Sequence, residues 1–463
     1  MNPEPRRAIP SVDKVLRELG SCELPRASLL AVIRQELESV RAATCAYSSD
    51  QLLARIRAAI DTLLLARIRP VINGTGVILH TNLGRSPMGQ QVVTTLSDIA
   101  ANYNNLELDL ASGERSGRAA YLEHNLAVLC GAQAATVVNN CAAALVLILR
   151  HFTSGFRKQV IISRGELIQI GGGFRIPEIL EASGATIREV GTTNKTSLAD
   201  YEGAVSDDTA MLLKVHRSNF HMEGFVESPE TDQLAAVARG KRIPFVEDLG
   251  SGATFRTEVL ADIEHEPMPA EILARGVDLV CFSGDKLFGG PQAGIIAGNT
   301  EMIAALKREP FFRALRCDKL ILSAMQATVD LHLRAPEQRD KAADGIPILD
   351  MLSQTTDSLR MRAQTIADSL SGLATSVVVG VGASKIGGGT LPKASIPSIT
   401  LDLLPRDIGL QEFSAKLRRA LIPVIGFISE NRFKLDLRTV FPRQDEQLVD
   451  AIRSALTAGV RDG

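Results

Sequence analysis

The first seventy residues carry apolar side chains at the three- and four-residue spacing of amphipathic helices. Three such stretches follow one another, near residues 12–19, 29–40 and 52–68. Pro70 ends the last of them. Residues 1–69 hold 11 basic and 8 acidic side chains, a net charge of +3. The pattern predicts a small basic helical module over residues 1–70, for which a helical cap or a dimerisation arm is the simplest role.

From residue 71 to about residue 335, short apolar runs alternate with helical stretches. The runs that predict strands are residues 136–138, 160–162, 185–190, 211–215, 244–247 and 278–282. Strands that alternate with helices indicate a mostly parallel sheet with crossover helices. Ligands of such sheets bind outside the carboxyl ends of the strands. We therefore expect residues 71–335 to form a large α/β domain with its functional groups directly after the strands.

The remaining residues, 336–463, mix the two patterns. They predict helices near 347–373 and 408–420, and strands at 376–381, 395–401, 423–428 and 433–438. This arrangement is typical of a smaller α+β domain that closes on the larger one.

Charge and composition narrow the classes of function. The chain has 463 residues with 51 Lys and Arg against 53 Asp and Glu, and a net charge of −2 does not favour generic binding of polyanions such as DNA. Arginine outnumbers lysine, 38 to 13, and its guanidinium suits bidentate contact with phosphate and carboxylate. With 15 Phe, 4 Tyr and no Trp, recognition of single strands by rows of stacked rings is not expected.

Cysteine spacing indicates whether a metal site or disulfides are expected, and hydropathy indicates whether a membrane span or a signal peptide is expected. Six cysteines occur without a Cys-x-x-Cys pair, so we expect neither a zinc site nor a disulfide framework. The longest apolar run, residues 141–149, is too short to span a bilayer. Charged residues such as Asp13 and Lys14 interrupt any signal-peptide core. These features predict a cytoplasmic protein that binds no metal and no membrane.

Polar and glycine-rich residues follow the predicted strands. Lys286, with glycines around it, comes after one strand, and Asp248 comes after the preceding one. An amine in a partly desolvated pocket has a lowered pKa, as a Schiff-base lysine requires, and a carboxylate at a neighbouring strand end can keep a pyridine nitrogen protonated. The helix that starts near Ala142, after Asn140, offers main-chain amides to a phosphate, and the Ser283 hydroxyl adds a donor. Together these features predict a pyridoxal-phosphate site.

Each feature alone has a simpler explanation, since the aspartate can cap a helix, the lysine can be a solvated surface charge and the asparagines can form a turn. Ser283 and Lys286 also form a Ser-x-x-Lys motif, which occurs in penicillin-recognising serine enzymes. Those enzymes need a downstream Lys-Thr-Gly, and residues 385–387, Lys-Ile-Gly, lack the threonine. The set, in this order on an alternating chain, therefore favours a pyridoxal-phosphate enzyme of the aspartate-aminotransferase fold.

Five stretches resemble the bacterial selenocysteine synthases, which are L-seryl-tRNA(Sec) selenium transferases. They are INGTGVILHTNLGR at 72–85, GGGFRIP at 171–177, EDLGSG at 247–252, FSGDKLFGGPQAG at 282–294 and GGGTLP at 387–392. The similarity covers essentially the whole chain, and residues 283–294 are its most specific part. It implies a fold type I enzyme with a mostly parallel central sheet, an N-terminal helical module and a smaller C-terminal α+β domain.

By this resemblance, Lys286 binds pyridoxal phosphate covalently and Asp248 pairs with the ring nitrogen. The phosphate would rest on main-chain amides and one hydroxyl, those of Asn140, Cys141, Ala142 and Ser283. The family converts L-seryl-tRNA(Sec) to L-selenocysteinyl-tRNA(Sec) by β-elimination to an aminoacrylyl intermediate. Selenium from selenophosphate then adds to that intermediate, and phosphate is released.

The resemblance also assigns three arginines, Arg85, Arg313 and Arg316, to the anion site of the selenium donor. The three-residue spacing of Arg313 and Arg316 predicts that they share one helix face. Asp285 and His216 are expected to line the site. For His216 a structural role is an equal alternative, and each arginine could instead form a solvent-facing ion pair.

Two roles stay open at this level. Arg438 is a candidate to face the site from the C-terminal domain, but an aminoacyl ester offers no free carboxylate for it to bind. The aromatic ring that usually stacks on the cofactor has no counterpart after Ile162, where Ser163, Arg164 and Gly165 follow.

The resemblance implies that residues 1–70 contact tRNA through shape and phosphate, and that the chain forms a homo-oligomer, a decamer of five dimers. The main alternative is a pyridoxal-phosphate lyase that acts on a free small molecule, such as a sugar-acid ammonia-lyase, which does not need the helical module. A third possibility is a nucleic-acid-binding protein with an inactive enzyme domain.

Overall fold

A computed structural model describes residues 10–42, 47–170, 173–334 and 345–457. The first two glycines of the GGGFRIP motif, Gly171 and Gly172, lie outside these ranges, as does the predicted domain boundary after residue 335. Within the ranges, no helix is both long and apolar enough to cross a membrane.

Three helices form the N-terminal region, as predicted: α1 (Val12–Leu19), α2 (Arg26–Ala42) and α3 (Ser49–Leu65). The side chains of Ser11 and Ser48 each accept a main-chain N–H at the start of α1 and α3, which stabilises a helix end. Buried apolar residues of all three helices form one cluster, which includes Val15, Ile33 and Ile56. This region therefore has a hydrophobic core of its own.

The next part of the chain contributes most of the strands. They are β1 (Ile72–Asn73), β2 (Val77–Leu79), β3 (Ala134–Val138), β4 (Gln159–Ser163), β5 (Gln169–Ile170), β6 (Phe174–Arg175), β7 (Thr186–Val190), β8 (Thr209–Val215), β9 (Phe245–Gly250), β10 (Leu279–Ser283) and β11 (Gly294–Gly298). Seven of these form one sheet in the order β3-β11-β10-β9-β8-β4-β7. All six predicted strands are present in it.

The pairing in this sheet is parallel except around β11, which runs antiparallel to both β10 and β3. The pattern of short apolar runs did not predict β11, a five-residue segment with glycine at each end. Its insertion explains why two strands far apart in the chain, β3 and β10, end close to one another at the same edge of the sheet.

Helices cover both faces of the large sheet. They are α4 (Gln90–Ala101), α5 (Ala120–Leu129), α6 (Cys141–Phe152), α7 (Ile176–Ala182), α8 (Leu198–Ala204), α9 (Thr231–Lys241), α10 (Thr257–Ala261), α11 (Pro269–Ala274), α12 (Thr300–Arg308), α13 (Phe312–Leu315) and α14 (Lys319–Arg334). Neighbouring residues of one strand belong to different apolar clusters, since Leu212 packs in one and Leu213 in the other. The sheet is therefore buried on both sides, as parallel sheets with crossover helices are.

The C-terminal part combines helices with a second sheet. Its elements are α15 (Pro347–Ser353), α16 (Thr356–Ser369), β12 (Thr375–Gly387), β13 (Ile396–Pro405), α17 (Leu410–Arg418), β14 (Val424–Ile425), β15 (Phe427–Ser429), β16 (Arg432–Asp436) and α18 (Asp445–Thr457). The sheet has the order β15-β16-β13-β12-β2, and β1 pairs with β14. The segment from β1 to β2 therefore pairs with the C-terminal strands although it precedes the large sheet in the chain.

Candidate active site

The carboxyl ends of β8, β9 and β10 open into one cavity. Its lining brings together most of the predicted cofactor residues, namely Cys141, Ala142, His216, Asp248, Ser283 and Lys286. Gly250 and Ser218 also line it. Because the strands are parallel, the residues that follow them converge at this edge of the sheet.

Asp248 lies within β9 and is 9% exposed. The Cys141 thiol donates to its Oδ1 over 3.5 Å. Burial raises the pKa of the Asp248 carboxyl, while the Lys286 ammonium and the Cys141 thiol act in the opposite direction. If the protonated ring nitrogen of a cofactor were bound here, its positive charge would compensate the negative charge of the buried Asp248 carboxylate.

A second thiol lies next to this pair. One ligand atom from each of Cys141, Asp248 and Cys281 falls within 4.8 Å of the other two. The chain spacing of the cysteines gave no sign of this cluster, because the three residues meet only through the pairing of β10 with β9 and the position of α6. Two thiols and a carboxylate are also a set that can hold a soft cation.

Lys286 lies in a turn after β10. Before the lysine, the Gly284 N–H donates to the Ala293 carbonyl, and two contacts fix the main chain after it. The Leu287 N–H donates to the Ser251 carbonyl, and His332 Nε2 lies 2.8 Å from the Phe288 carbonyl. Burial lowers the pKa of His332 to about 4, so this ring is neutral and its Nε2–H donates to the carbonyl. The lysine is therefore held on a rigid loop.

Gly250 keeps the space over the lysine amine open. Its φ is +66°, and a Cβ at this position would lie 3.7 Å from Lys286 Nζ and 3.4 Å from Ser218 Oγ. A side chain would therefore occupy the part of the cavity that borders the amine.

The first turn of α6 has unused donors. Asn140 caps the helix by accepting the Ala143 N–H over 2.8 Å. The N–H groups of Cys141 and Ala142 have no acceptor within the described ranges of the chain. Free N–H groups at a helix N-terminus bind phosphate well. The amine, the carboxylate and these amides on one cavity fit pyridoxal phosphate.

Ser283 and His216 complete the predicted cofactor residues. Ser283 ends β10, and no hydrogen bond of its hydroxyl is found in the part of the chain that the structure describes. His216 follows β8 directly and donates its main-chain N–H to the Asp248 carbonyl. His216 is the only aromatic ring among the residues that line this cavity in the described structure, so the stacked Phe, Tyr or Trp that many such sites contain has no counterpart here.

Arg85 and Asp285 form an ion pair directly before the lysine. Arg85 Nη1 lies 2.8 Å from Asp285 Oδ2, and the aspartate is 7% exposed. Arg85 has a φ of +61°, in the left-handed region that side chains other than glycine rarely adopt. The structure therefore pairs the two predicted residues with one another, and neither is among the residues that line the lysine cavity.

The other two predicted arginines line a separate cavity, together with Arg118. Arg316 Nε is buried without a hydrogen-bond partner among the described residues. Arg118 Nη2 donates to the Cys317 carbonyl. Thr136 and Val137 of β3 line this cavity, whereas the residues after β3 line the lysine cavity, so the two cavities border the same strand end. Arg85 is not part of this second lining.

The prediction that Arg313 and Arg316 share one helix face is wrong. Helix α13 ends at Leu315, and Arg316 has extended backbone angles. The Asn139 N–H donates to the Leu315 carbonyl, and Arg316 forms a β-bridge with Val138. Pairing with the end of β3 stops the helix at this point, and it is the shared cavity that brings the two arginines together.

Arg438 does not face the lysine cavity. It is 1% exposed, and its guanidinium donates to the main-chain carbonyls of Met351, Gln354 and Pro397. Its main-chain N–H donates to Asp436. The residue therefore ties the C-terminal sheet to the last turn of α15 and the residue after it, and has a structural role.

Sequence reasoning missed two polar residues that line these cavities and a third that contacts one of the lining residues. Ser218 lies two residues beyond His216, Arg118 lies in a loop before α5, and Glu266 lies 3.2 Å from His216 Nε2. For Ser218, the rule that site residues follow strand ends was a usable signal. The other two come from irregular segments that only the folded chain brings to the site.

The seven-stranded sheet, with a strand-end lysine and a neighbouring aspartate on one cavity, defines a pyridoxal-phosphate enzyme of the aspartate-aminotransferase fold. The chain is similar in structure to D-glucosaminate-6-phosphate ammonia-lyase, with a TM-score of 0.56 over 84% of this chain and 96% of that one. At 21% identity, this likeness shows the fold alone.

The profile of the L-seryl-tRNA selenium transferase family matches residues 71–441. The L-seryl-tRNA(Sec) selenium transferase of Geotalea daltonii is 40% identical over 97% of this chain and 98% of its own. That of Aquifex aeolicus is 41% identical over 94% and 95%. The chain belongs to this family, and the resemblance drawn from the five motifs is confirmed.

Proposed function

We propose that the chain converts L-seryl-tRNA(Sec) to L-selenocysteinyl-tRNA(Sec), with selenophosphate as the selenium donor and phosphate as the second product. The observation that carries this proposal is the shared cavity of Lys286 and Asp248 in a chain that belongs to the selenium transferase family. A lyase that acts on a small molecule is less well supported, since the ammonia-lyase is only 21% identical.

Each residue of the lysine cavity would have a separate role in the chemistry of the cofactor. Bound pyridoxal phosphate supplies an electron sink that allows loss of the α-proton and then of the β-hydroxyl of the seryl group. Lys286 Nζ would hold the cofactor and, once the substrate amine replaces it, would take the α-proton. Asp248 would keep a proton at the ring nitrogen. The free N–H groups at the start of α6 and the Ser283 hydroxyl would bind the phosphate.

The arginines would bind the anionic donor. Arg313, Arg316 and Arg118 line one cavity, and the unpaired Arg316 Nε is a donor available to an oxyanion. Arg85, which is paired with Asp285 directly before the lysine in the chain, would be a further cationic group for the donor. Because cationic groups are needed where the negative charge of selenophosphate is held, this arrangement fits a donor that approaches past the end of β3.

The N-terminal helices α1 to α3 would bind the tRNA. Residues 1–69, which contain these helices, carry a net charge of +3, and the helices have their own core. The segment can therefore present basic side chains without support from the large sheet. Contacts of this type are made mainly with phosphates and therefore weaken as salt rises.

The decamer of five dimers is part of this proposal and is drawn from the resemblance. Exposed apolar side chains occur before and on α5, and they include Tyr103, Leu110, Tyr121 and Val128. An interface between copies of the chain would cover them. Sedimentation velocity of the purified protein tests the predicted mass.

The function is tested by incubating the protein with seryl-tRNA(Sec) and selenophosphate and identifying the aminoacyl group by mass. We expect selenocysteine on the tRNA and one phosphate released for each selenocysteine formed. Unchanged serine, together with release of ammonia from free amino-sugar acids, would instead establish the lyase.

A further inference from the structure

His216 forms a wall between two cavities. It lines the lysine cavity with Asp248, and it also lines a polar cavity beneath it that contains Glu166, Lys214 and Glu247. Its side chain is 27% exposed. The imidazole therefore reaches both the cofactor site and the buried polar groups behind it.

The carboxylate of Glu266 lies close to the imidazole ring of His216. Its Oε1 lies 3.2 Å from His216 Nε2, and its side chain is 3% exposed. Within the described ranges, His216 is the one basic side chain at ion-pairing distance from this carboxylate. The distance is that of a hydrogen bond, but Oε1 has no aligned hydrogen-bond donor among the described residues.

The main chain of Glu266 is fixed independently. Its N–H donates to Thr257 Oγ1 over 2.9 Å, and the same hydroxyl donates to the Glu264 carbonyl. Thr257 is fully buried. The carboxylate therefore starts from a rigid backbone, and the imidazole is the group that can adjust to it.

Leaving this carboxylate unpaired would be costly. Burying an ion without a partner destabilises a protein by several kcal/mol, and an unsatisfied buried acceptor costs about 1–3 kcal/mol. A bond from His216 Nε2–H removes that cost and fixes the ring, because a carboxylate on one nitrogen sets both the orientation and the tautomer of a histidine.

We propose that Glu266 is a positioning residue that holds His216 Nε2, so that the other ring nitrogen, Nδ1, is presented in a fixed orientation to the group bound at Lys286. This inference rests on the proposed cofactor site. Glu266 acts only through His216 and does not itself touch the cofactor.

Other charged groups surround the pair and would contribute to any change in its behaviour. They are Glu247 and Asp248 on β9, Lys214 and Arg217 on either side of His216 along the chain, Lys286 after β10, and Glu166, His265, Glu271 and Arg275 around the lower cavity. The test therefore compares variants at one pH.

The dissociation constant of pyridoxal phosphate is measured for four proteins: the unchanged chain, Glu266→Leu, His216→Ala and the double variant. Leucine is close in size to glutamate and accepts no hydrogen bond. We expect each single variant to raise the constant about tenfold, and the double variant to raise it no further. Residues that act as one unit show this non-additivity.

Glu266→Gln keeps an acceptor for Nε2–H and is expected to bind the cofactor within about threefold of the unchanged protein. Glu223→Leu is the matched control, because Glu223 lies 3.8 Å from a different histidine, His221, and lines neither cavity. It is expected to leave the constant unchanged. The visible circular dichroism of the bound cofactor should change for Glu266→Leu alone among these variants of glutamate.

A hundredfold rise in the double variant, or no effect of Glu266→Leu, would overturn the proposal. If Glu266→Leu does not fold, Glu266→Asp takes its place, since it keeps the charge but withdraws the carboxylate from the ring. Borohydride labelling of Lys286 in the unchanged protein distinguishes failure of the cofactor site from failure of this inference. Absence of label on Lys286 would refute the cofactor site itself. Label on Lys286, together with additive effects of the two substitutions on the dissociation constant, would refute only the role of Glu266.

Discussion

The guanidinium of Arg85 and the carboxylate of Asp285 are paired over 2.8 Å, one residue before the lysine that would carry the cofactor. Arg85 maintains this contact with a φ of +61°. A non-glycine residue in a strained backbone conformation costs about 1–3 kcal/mol and persists where the surroundings enforce it. The side chain at position 85 is therefore held in place at the expense of local stability.

Two replacements of Arg85 distinguish the effect of its backbone strain on stability from the effect of its guanidinium on activity. Glycine adopts a positive φ freely, so Arg85→Gly should be more stable than Arg85→Ala by about 1 kcal/mol. Both variants lose the guanidinium and should reduce selenium transfer at least tenfold and equally. Urea unfolding and transfer assays check the two parts. Equal stability of the variants, or full activity in either one, would contradict this account.

The arginine cavity should affect donor use more than elimination. Arg316→Ala removes a charged donor whose hydrogen bonds contribute about 1.5–3 kcal/mol, so the KM for selenophosphate should rise at least tenfold. Arg313→Ala and Arg118→Ala should act in the same direction. Elimination of the seryl hydroxyl, measured without donor, should change little. The control is Arg308→Ala, an exposed arginine at the end of α12. Equal losses in both steps would argue against donor binding.

Removal of residues 1–69 should separate RNA binding from cofactor binding. These helices pack around their own cluster, so the large domain is expected to keep its cofactor absorbance. Affinity for tRNA(Sec), measured by filter binding at fixed salt, should be lost because the basic segment is gone. Unchanged tRNA affinity in the truncated protein would show that the helices are a cap or a dimerisation arm.

Glu166 should make stability depend on pH near neutrality. Burial raises the pKa of its carboxyl to about 7, although the Val215 N–H and the Lys214 ammonium oppose this. Since the folded pKa lies above the unfolded value of 4.5, the folded chain binds this proton more tightly, and its contribution to stability falls as the pH rises from about 4.5 to about 7.

Glu166→Gln keeps an acceptor for the Val215 N–H and cannot ionise. Between about pH 5 and about pH 8, its free energy of unfolding should rise relative to that of the unchanged protein by up to about 3 kcal/mol. Unfolding midpoints of both proteins at the two pH values test this. A constant difference at both pH values would show that the carboxyl does not titrate in this window.

The sequence was sufficient to predict the site residues that lie at or directly after the end of a strand. Lys286, Asp248, Ser283 and His216 were found because the carboxyl ends of parallel strands converge, and all four line one cavity. Local patterns could not show which side chains meet across the sheet. Cys281, which belongs to the strand predicted over residues 278–282, lies beside Asp248 and Cys141.

The remaining gaps have specific causes. The spacing of Arg313 and Arg316 suited a helix, but pairing of Arg316 with Val138 ended it. Arg438 had an undecided role until its guanidinium was found bonded to main-chain carbonyls. Glu266 lies in an irregular segment after α10, and its meeting with His216 depends on tertiary packing that no periodicity encodes.

Reduction of the purified, cofactor-loaded protein with borohydride, followed by peptide mass mapping, tests the basis of the whole account. We expect one pyridoxyl group per chain, on Lys286, and no label in Lys286→Ala, which should also lose selenium transfer while it retains tRNA affinity. A label on another lysine, or selenium transfer by Lys286→Ala, would contradict it.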